Sequence, residues 1–357
     1  MSIEVSMFKS ALLILALYAV AGCAHHSSNS APADVFSGEQ VRMIGRFAQH
    51  NDGEAAFTWP GSALEFRFEG TEAGITIASN GRTRFEVDVD GVVSDLWVKD
   101  GEAYYTLASG LEPGVHQLRL TRLTESFSVV TRFTTDPHTD GKLLLPPAAP
   151  SRRILAVGDS ITAGYGVEGD SQACPYAPET SNQQLTYAAL AAEELNADLH
   201  TIAWSGIGAW RSYGEEKPAN PTILERYSRT LADDPESQWD ITRYQPDAIT
   251  IAIGTNDYWQ GSVTDEYQLS MISLIDRIQR DYPDTPIYLI VSPMLTGAAR
   301  DDQKARLTAM EEQHVHMLDL GKIEQADGYG CDYHPNTITQ QRSAQALINR
   351  LRADLDW

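Results

Sequence analysis

The stretch Ile154-Leu155-Ala156-Val157-Gly158-Asp159-Ser160-Ile161-Thr162 decides the fold of the second half of the chain. Its first four residues are apolar and two are β-branched, which indicates a short buried strand. Ser160 comes directly after this strand, where a parallel sheet binds its ligands, so Ser160 is a candidate nucleophile. The same residues are ordinary turn chemistry, in which Asp159 and Ser160 cap the following helix. The local sequence alone favours this second interpretation.

The chain after residue 154 alternates between strand-like and helix-like segments. The run Ala248–Ile253 is β-branched and apolar, as a buried strand requires, whereas Glu266–Arg280 has apolar residues at helical spacing. Helices are also predicted at Gln183–Leu195 and Thr337–Leu355. Such alternation predicts an α/β domain with a parallel sheet covered by helices on both faces.

The first half of the chain has a different pattern. Segments such as Leu64–Phe68 and Phe85–Val89 alternate between apolar and polar residues, and turn dipeptides such as Asn80-Gly81 separate them. Many short strands without a helix predict an antiparallel β-sandwich, with a structural or sugar-binding role. A proline-rich segment follows it. We therefore predict a sandwich domain at 38–145 and an α/β domain at 146–357.

The N-terminus has the character of a targeting segment. Residues 11–20 are apolar, but this run is too short to span a bilayer. Val20-Ala21-Gly22-Cys23 resembles the lipobox of bacterial lipoproteins, which implies a signal peptide at 1–22, lipidation of Cys23 and a tether at 23–37. Ala24 then implies the outer membrane. We predict a lipid-anchored protein of the bacterial cell envelope; the alternative is a buried helix with an incidental cysteine.

Composition excludes one class of partner. The chain of 357 residues is 42% hydrophobic and 21% charged, and its formal net charge is −22. This charge argues against nucleic acid, because a polyanion needs a basic surface. A neutral polysaccharide or a small ester would be tolerated. No pair of histidines has the spacing of a metal site, and we predict neither a metal nor a cofactor.

Two cysteines remain if Cys23 is acylated. Cys174 and Cys331 both lie in loops rich in glycine, proline or aspartate. In an oxidising compartment they are a possible disulfide. The alternative, two unpaired thiols, stays open because sequence does not show proximity.

Each predicted strand of the second domain is followed by a small polar cluster, and these clusters carry the parts that acyl transfer needs. Such chemistry requires a nucleophile, a base and hydrogen-bond donors for the oxyanion. Ser160 and His334 are suitable as nucleophile and base. Gly206 allows a main-chain N–H to approach closely, and Asn256 offers a neutral carboxamide donor. Their occurrence in four separate loops reverses the preference for a simple helix cap at Ser160.

These residues carry a resemblance to a known family. Gly-Asp-Ser-Ile-Thr at 158–162, Gly206, Gly-Thr-Asn-Asp at 254–257 and His334 resemble the blocks of the SGNH, or GDSL-type, hydrolase superfamily. Thr162 occupies the second glycine position of Gly-x-Ser-x-Gly, which speaks against an α/β-hydrolase elbow. Both domains in order resemble carbohydrate esterase family two, which includes acetyl xylan and glucomannan esterases. The resemblance implies a flavodoxin-like SGNH sheet preceded by a jelly-roll sandwich.

The resemblance also implies roles for individual residues. Ser160 would be the nucleophile and His334 the base, with the N–H groups of Ser160 and Gly206 and the Asn256 side chain as the oxyanion hole. The superfamily usually has Asp-x-x-His in its last block, but Cys331 stands at the aspartate position. Asp332 is our predicted orienting residue for His334. A main-chain carbonyl is the alternative.

Aromatic residues in the same loops are candidate sugar contacts. We predict that Trp259, Trp210 and Tyr333 contact substrate, Trp259 foremost because it follows Asn256 closely. The alternative is that these rings only pack the loops.

Together these features predict a serine carboxylic-ester hydrolase that removes O-acetyl groups from polysaccharides. The expected substrates are acetyl xylan, glucomannan or their oligosaccharides, and the resemblance suggests esters at the 6-hydroxyl. One alternative is an envelope esterase for peptidoglycan O-acetyl groups or a lysolipid. Another is a polysaccharide-binding lipoprotein without turnover.

Overall fold

The computed structural model describes residues 36–49, 53–125, 127 and 129–357. The predicted signal peptide, Cys23 and the tether up to residue 35 lie outside these residues, so their predictions stand as made. Among the described residues, no helix combines the length and the apolar character needed to cross a bilayer.

The first domain is built from short antiparallel strands. In the described residues these strands are β1 (Arg42–Ile44), β2 (Ala48–Gln49), β3 (Ala55–Phe57), β4 (Ala63–Gly70), β5 (Ala73–Ser79), β6 (Thr83–Val89), β7 (Val92–Val98), β8 (Gly101–Ala108), β9 (Gly114–Arg122), β10 (Thr131–Phe133), β11 (His138–Thr139) and β12 (Lys142–Leu144). One sheet has the order β1-β4-β9-β6-β7, with β12 also paired to β4. The other has the order β11-β5-β10-β3-β2, with β8 paired to β5. The two sheets form the predicted sandwich.

The sandwich core is aromatic. The inward residues of the alternating strands meet there, including Phe57, Phe66 and Phe85. Phe36 also belongs to this core, and Ser37 donates its main-chain N–H to Asp136 Oδ1 at 3.0 Å. The predicted tether at 23–37 includes both residues, yet in the structure they are part of the sandwich, because the apolar ring at position 36 is buried beside Phe133.

The second domain contains a parallel sheet. Its strands are β13 (Arg152–Gly158), β14 (Ala197–Ala203), β15 (Ala248–Ala252), β16 (Ile287–Ile290) and β17 (Val315–Leu318). Its α-helices are α1 (Ser160–Ala163), α2 (Tyr187–Glu194), α3 (Ile223–Tyr227), α4 (Asp265–Asp281), α5 (Gly297–Thr308) and α6 (Thr337–Leu355). Single 3₁₀ turns occur at Pro178–Thr180, Gln183–Leu185, Ile241–Arg243, Gln325–Asp327 and Cys331–Tyr333.

The strand order β14-β13-β15-β16-β17 is that of flavodoxin-like sheets. Helices α2 and α6 bury their apolar residues on one face of the sheet, and α3, α4 and α5 bury theirs on the other. The order in which the chain adds strands to the sheet reverses between β13 and β15. Sheets of this kind bind ligands in the crevice at the carboxyl ends of these two strands. Ser160 follows β13 and Asn256 follows β15, so both lie at this crevice.

The sandwich is docked on the α/β domain through buried polar and apolar contacts. The Arg42 guanidinium donates to Asp198 Oδ1 at 2.6 Å, and Thr58 Oγ1 accepts from the Ala232 N–H at 2.8 Å. Trp59 of the sandwich is fully buried in the apolar cluster of the α/β domain. The sandwich thus contributes a side chain to the apolar core of the α/β domain, and each domain also has apolar clusters of its own.

Candidate active site

The turn after β13 places Ser160 at the start of α1. The Asp159 carboxylate caps this helix by accepting the Ile161 N–H at 3.0 Å. A side chain at Gly158 would come within 2.0 Å of Thr162 Oγ1, so the tight turn requires glycine there. Asp159 caps the helix as the turn interpretation predicts, and Ser160 lies at the crevice, where the nucleophile interpretation requires it.

His334 lies against Ser160. Its Nε2 is 2.8 Å from Ser160 Oγ, and both residues are less than one-tenth exposed. On the other side of the ring, Nδ1 is 3.0 Å from the main-chain oxygen of Asp332 and 3.2 Å from that of Cys331. Nδ1 must carry the proton to donate to these carbonyls, which leaves the lone pair of Nε2 facing the serine hydroxyl.

The Asp332 carboxylate does not orient His334 in the structure, contrary to the prediction from the sequence. Asp332 has φ +52° and ψ +44°, and this left-handed conformation turns its main-chain oxygen toward the imidazole. Its carboxylate is instead 3.4 Å from the Tyr165 hydroxyl. The alternative with a main-chain carbonyl is the arrangement that the structure contains.

The histidine loop is tied to the loop that follows α1. Cys174 and Cys331 form a disulfide across a sequence separation of 157. The Cys331 N–H donates to the Gly166 carbonyl at 2.9 Å, and the Asp332 N–H donates to the Cys174 carbonyl at 2.9 Å. A Cβ at Gly169 would lie 2.3 Å from Cys331 Sγ. These contacts fix the loop that carries His334 relative to the loop that follows Ser160.

Gly206 and Asn256 complete the predicted set. Gly206 has φ +82°, which favours glycine, and a side chain there would meet no atom within 4 Å. The Asn256 amide nitrogen donates to the Ile207 carbonyl at 2.8 Å and lies 3.5 Å from Asp159 Oδ2. The structure thus brings the loops after β13, β14 and β15 together around Ser160.

Asp257 braces these loops. Its carboxylate accepts the main-chain N–H groups of Ala209, Trp210 and Arg211 at 2.8–3.0 Å. The Arg211 guanidinium donates a hydrogen bond to the Asp257 main-chain carbonyl at 2.9 Å. The loop with Gly206 is therefore bound to the loop with Asn256.

A cavity of about 410 Å³ opens above Ser160. Ser160, Gly206, Asn256 and His334 all line it. Among the described residues, the cavity is also lined by the side chains of Phe127, Tyr165, Tyr213, Trp259, Met294 and Tyr333. It is therefore an aromatic-walled cleft with the serine at its floor.

The three predicted aromatic contacts have different surroundings. Trp259 lines the cavity and its indole N–H donates to the Glu215 carbonyl at 2.9 Å. Tyr333 lines it with 59% of its surface exposed. Trp210 is not among the lining residues that the structure describes, because its main-chain N–H is bound by Asp257 and its ring lies beside the Arg211 guanidinium. The prediction of a substrate contact at Trp210 is not supported.

Burial governs the ionisation of the site. Burial lowers the pKa of His334 below its usual 6.5, although the hydrogen bond to the Asp332 carbonyl and the charge of Asp332 oppose the shift. Burial also raises the pKa of Asp159 to about 7 and that of Asp257 to about 6, against the main-chain N–H bonds that favour their anions. A histidine of lowered pKa is neutral at neutral pH, as a general base must be.

Sequence reasoning missed three residues around this site. The Tyr165 ring stacks on the His334 imidazole with 4.2 Å between their centres. Phe127 and Glu125 come from the loop after β9, in the sandwich, and lie near the loop with Gly206. Tyr165 stands in the same glycine-rich loop as the serine, which was a usable signal. Nothing local marks Glu125 or Phe127.

The described residues contain no cluster of three or more histidine, cysteine, aspartate or glutamate side chains able to hold a metal ion. The residues around Ser160 and His334 are suited to nucleophilic chemistry through side chains and main-chain groups.

Known proteins share this arrangement of domains. The carbohydrate esterase 2 N-terminal model matches residues 43–147, and the model of the GDSL-like lipase/acylhydrolase family matches residues 156–342. The chain belongs to carbohydrate esterase family two. A solved family two esterase from Clostridium thermocellum, in complex with cellohexaose, is 33% identical with a TM-score of 0.85, covering 89% of this chain and 99% of that one.

Two curated relatives of this family two chain are similar over most of its length. The cellulase/esterase CelE of Acetivibrio thermocellus is 35% identical over 88% of this chain, which spans 39% of that relative's length. An acetylxylan esterase / glucomannan deacetylase of Cellvibrio japonicus is 26% identical over 83% of this chain and 85% of its own. Membership in this family supports esterase activity for the chain.

Proposed function

We propose that this chain is a serine esterase that removes O-acetyl groups from polysaccharides or oligosaccharides such as acetyl xylan and glucomannan. The observation that carries the proposal is the distance of 2.8 Å between Ser160 Oγ and His334 Nε2 at the floor of an open cleft. A hydroxyl hydrogen-bonded to a neutral imidazole is the arrangement that activates serine for attack on an ester.

In the proposed mechanism Ser160 Oγ attacks the acetyl carbonyl while His334 Nε2 takes the hydroxyl proton. The carbonyls of Cys331 and Asp332 accept from Nδ1–H, hold the ring in this tautomer and stabilise the imidazolium that forms. His334 then protonates the departing sugar oxygen. Water repeats the sequence on the acetyl-enzyme and releases acetate.

The negative charge of each tetrahedral intermediate needs donors. We assign them to the N–H groups of Ser160 and Gly206 and to the Asn256 carboxamide, which line the same cleft. Such preorganised donors stabilise the oxyanion because they need no rearrangement as its charge develops.

The proposed substrate class follows from the walls of the cleft. Tyr213 and Tyr333 are 70% and 59% exposed, and Trp259 lies beside the Tyr213 ring. Exposed aromatic rings at a concave site can stack on the apolar faces of sugar rings. The Cellvibrio relative is named acetylxylan esterase / glucomannan deacetylase, which agrees with such a substrate. We extend the proposal to primary 6-hydroxyl esters on the family resemblance alone.

The test compares wild type with Ser160→Ala on 4-nitrophenyl acetate, acetyl xylan and acetylated glucomannan. We expect Ser160→Ala to lose at least about a thousandfold in kcat for acetate release, because no other hydroxyl contacts His334 Nε2 among the described residues. Ser273→Ala, an exposed serine on α4, is the matched control and should retain wild-type turnover.

Acetate release that does not depend on Ser160 would contradict the mechanism. Binding of acetylated polymer by wild type without any turnover would replace the proposal with the polysaccharide-binding alternative. Positional analysis of the released acetyl groups by NMR would show whether 6-hydroxyl esters are preferred.

A further inference from the structure

A carboxyl group of the sandwich domain is buried behind the active site. Glu125 lies in the loop after β9 and is 3% exposed. The Ser205 hydroxyl donates a hydrogen bond to its Oε1. Its other oxygen, Oε2, is buried and has no hydrogen-bond partner within the part of the chain that the structure describes. Among the described residues, this carboxyl therefore bonds Ser205, the residue before Gly206.

The groups around Glu125 compensate a negative charge only in part. The charge of Arg122, the last residue of β9, favours the anion, but Arg122 donates its N–H groups to main-chain carbonyls, including that of Glu125 at 2.8 Å. From the α/β domain, the carboxyl of Asp159 and the hydroxyls of Tyr165 and Tyr176 face it. An ionised Glu125 would thus be a buried carboxylate that forms no ion pair with any described residue, which is costly.

The ionisation behaviour agrees with this geometry. Burial raises the pKa of Glu125 to about 8, although the hydroxyl and the main-chain N–H of Ser205 favour the anion. The carboxyl is predominantly neutral below that pH. As pH rises through about 8, a negative charge appears next to the loop that carries Gly206.

We propose that Glu125 is a positioning residue for the esterase site: as the neutral acid it holds Ser205, and through it the N–H of Gly206, in the oxyanion hole. The inference rests on the function proposed above. It makes the sandwich domain part of the machinery, because the carboxyl comes from one domain and the oxyanion donor from the other. An ionised Glu125 would oppose the oxyanion by like-charge repulsion.

The experiment measures kcat and KM for 4-nitrophenyl acetate from about pH 6 to about pH 10, with Ser160→Ala as the blank. Glu125→Ala should lower kcat by about 10- to 100-fold with little change in KM, somewhat less than complete loss of an oxyanion donor. Glu125→Gln keeps an oxygen acceptor for Ser205 and should recover most of that loss. In wild type, ionisation of Glu125 should contribute to a decline of kcat above about pH 8, and Glu125→Gln should lack this contribution. The ionisation of Asp159 affects wild type and Glu125→Gln alike.

Two further variants make the result specific. Glu65→Gln alters another buried carboxyl of the sandwich, which is bonded to Arg42 and Gln117 away from the cleft, and it should keep the wild-type profile. Ser205→Ala removes the hydroxyl link and should lower kcat as Glu125→Ala does, with no further loss in the double variant. Ser205→Ala also tests the inference if Glu125→Ala fails to fold.

Wild-type kcat in both Glu125→Ala and Ser205→Ala would overturn the inference, as would an identical alkaline decline in wild type and Glu125→Gln. If wild type shows no Ser160-dependent turnover, the proposed function fails instead. Infrared spectroscopy then tests Glu125 independently. A protonated-carboxyl band at neutral pH that Glu125→Gln removes would support the neutral acid, and its absence would overturn the inference.

Discussion

At the scale of single residues, the site depends on main-chain conformations that L-residues rarely adopt. Asp332 and Tyr333 both have positive φ, at +52° and +62°. Such conformations cost free energy and persist where the surroundings enforce them. Here they turn two carbonyls toward Nδ1 of His334. A backbone element therefore does the orienting work that a carboxylate does in a Ser-His-Asp triad.

Replacement of Asp332 by asparagine should therefore have a small effect. We expect kcat to stay within about tenfold of wild type, whereas removal of an orienting carboxylate costs about ten-thousandfold. Asparagine also tolerates the left-handed conformation at this position. The charge of Asp332 raises the pKa of His334, so its loss should move the acid limb of kcat/KM to lower pH. The measurement is a pH–rate profile of both proteins.

His334→Ala should abolish turnover and is the reference for complete loss of the base. A loss of a thousandfold or more in Asp332→Asn at every pH would mean that the carboxylate orients His334 during catalysis, against the geometry described above.

At the scale of elements, helix ends depart from the sequence prediction. The predicted helix Gln183–Leu195 is a 3₁₀ turn at Gln183–Leu185 followed by α2 at Tyr187–Glu194. Thr186 between them is extended, with ψ 158°, and its hydroxyl accepts the Ala189 N–H as an N-cap. Gln183 is drawn to the sandwich by donating its N–H to the Leu123 carbonyl at 3.1 Å. A tertiary contact interrupts the helical pattern there.

The disulfide between the two active-site loops should stabilise the fold and the site together. Replacing Cys174 and Cys331 by serine opens a closed segment of about 157 residues, worth about 5 kcal/mol in the chain-entropy model. We expect a decrease of about 2–5 kcal/mol in the free energy of unfolding. We also expect a lower kcat, because the loop that carries His334 loses a link to the loop after Ser160.

Urea unfolding and kcat of the double variant check this prediction, and wild type treated with a reductant is the control. Equal unfolding midpoints for the oxidised, reduced and serine forms would contradict it.

At the scale of the whole molecule, the sandwich and the α/β domain act as one unit. Trp59 of the sandwich fills the α/β core, and Arg46 donates to the Arg229 carbonyl at 2.7 Å across the boundary. The Arg46 guanidinium is buried there and also lies over the Trp239 ring. Because these contacts cross the boundary between buried groups, we expect the two domains to unfold together.

Trp59→Ala should therefore destabilise both domains at once. We expect a loss of about 3–5 kcal/mol in the free energy of unfolding, as for other large buried aromatic residues. Trp97→Ala, at a half-buried ring on the outer side of the sandwich, is the matched control and should cost less. Calorimetry is the measurement. Two separate unfolding transitions, of which Trp59→Ala shifts only one, would contradict joint unfolding of the two domains.

The sequence by itself determined the fold class and the principal residues of the site. Period-two alternation before residue 142 predicts the sandwich, and the β-branched runs at Ile154 and Ala248 predict the parallel sheet, because local patterns report which faces are buried. Ser160, Gly206, Asn256 and His334 were identifiable since strand-end loops of a parallel sheet meet at one edge. The structure places all four around one cleft.

Only the tertiary structure decided what stands behind the histidine and the oxyanion loop. The direction of the Asp332 carbonyl depends on a φ angle that neighbouring side chains do not reveal, and the Cys174–Cys331 contact depends on loop paths. Glu125 meets Ser205 across 80 positions and a domain boundary. Such contacts arise from packing two domains against each other, and no periodicity in either segment records them.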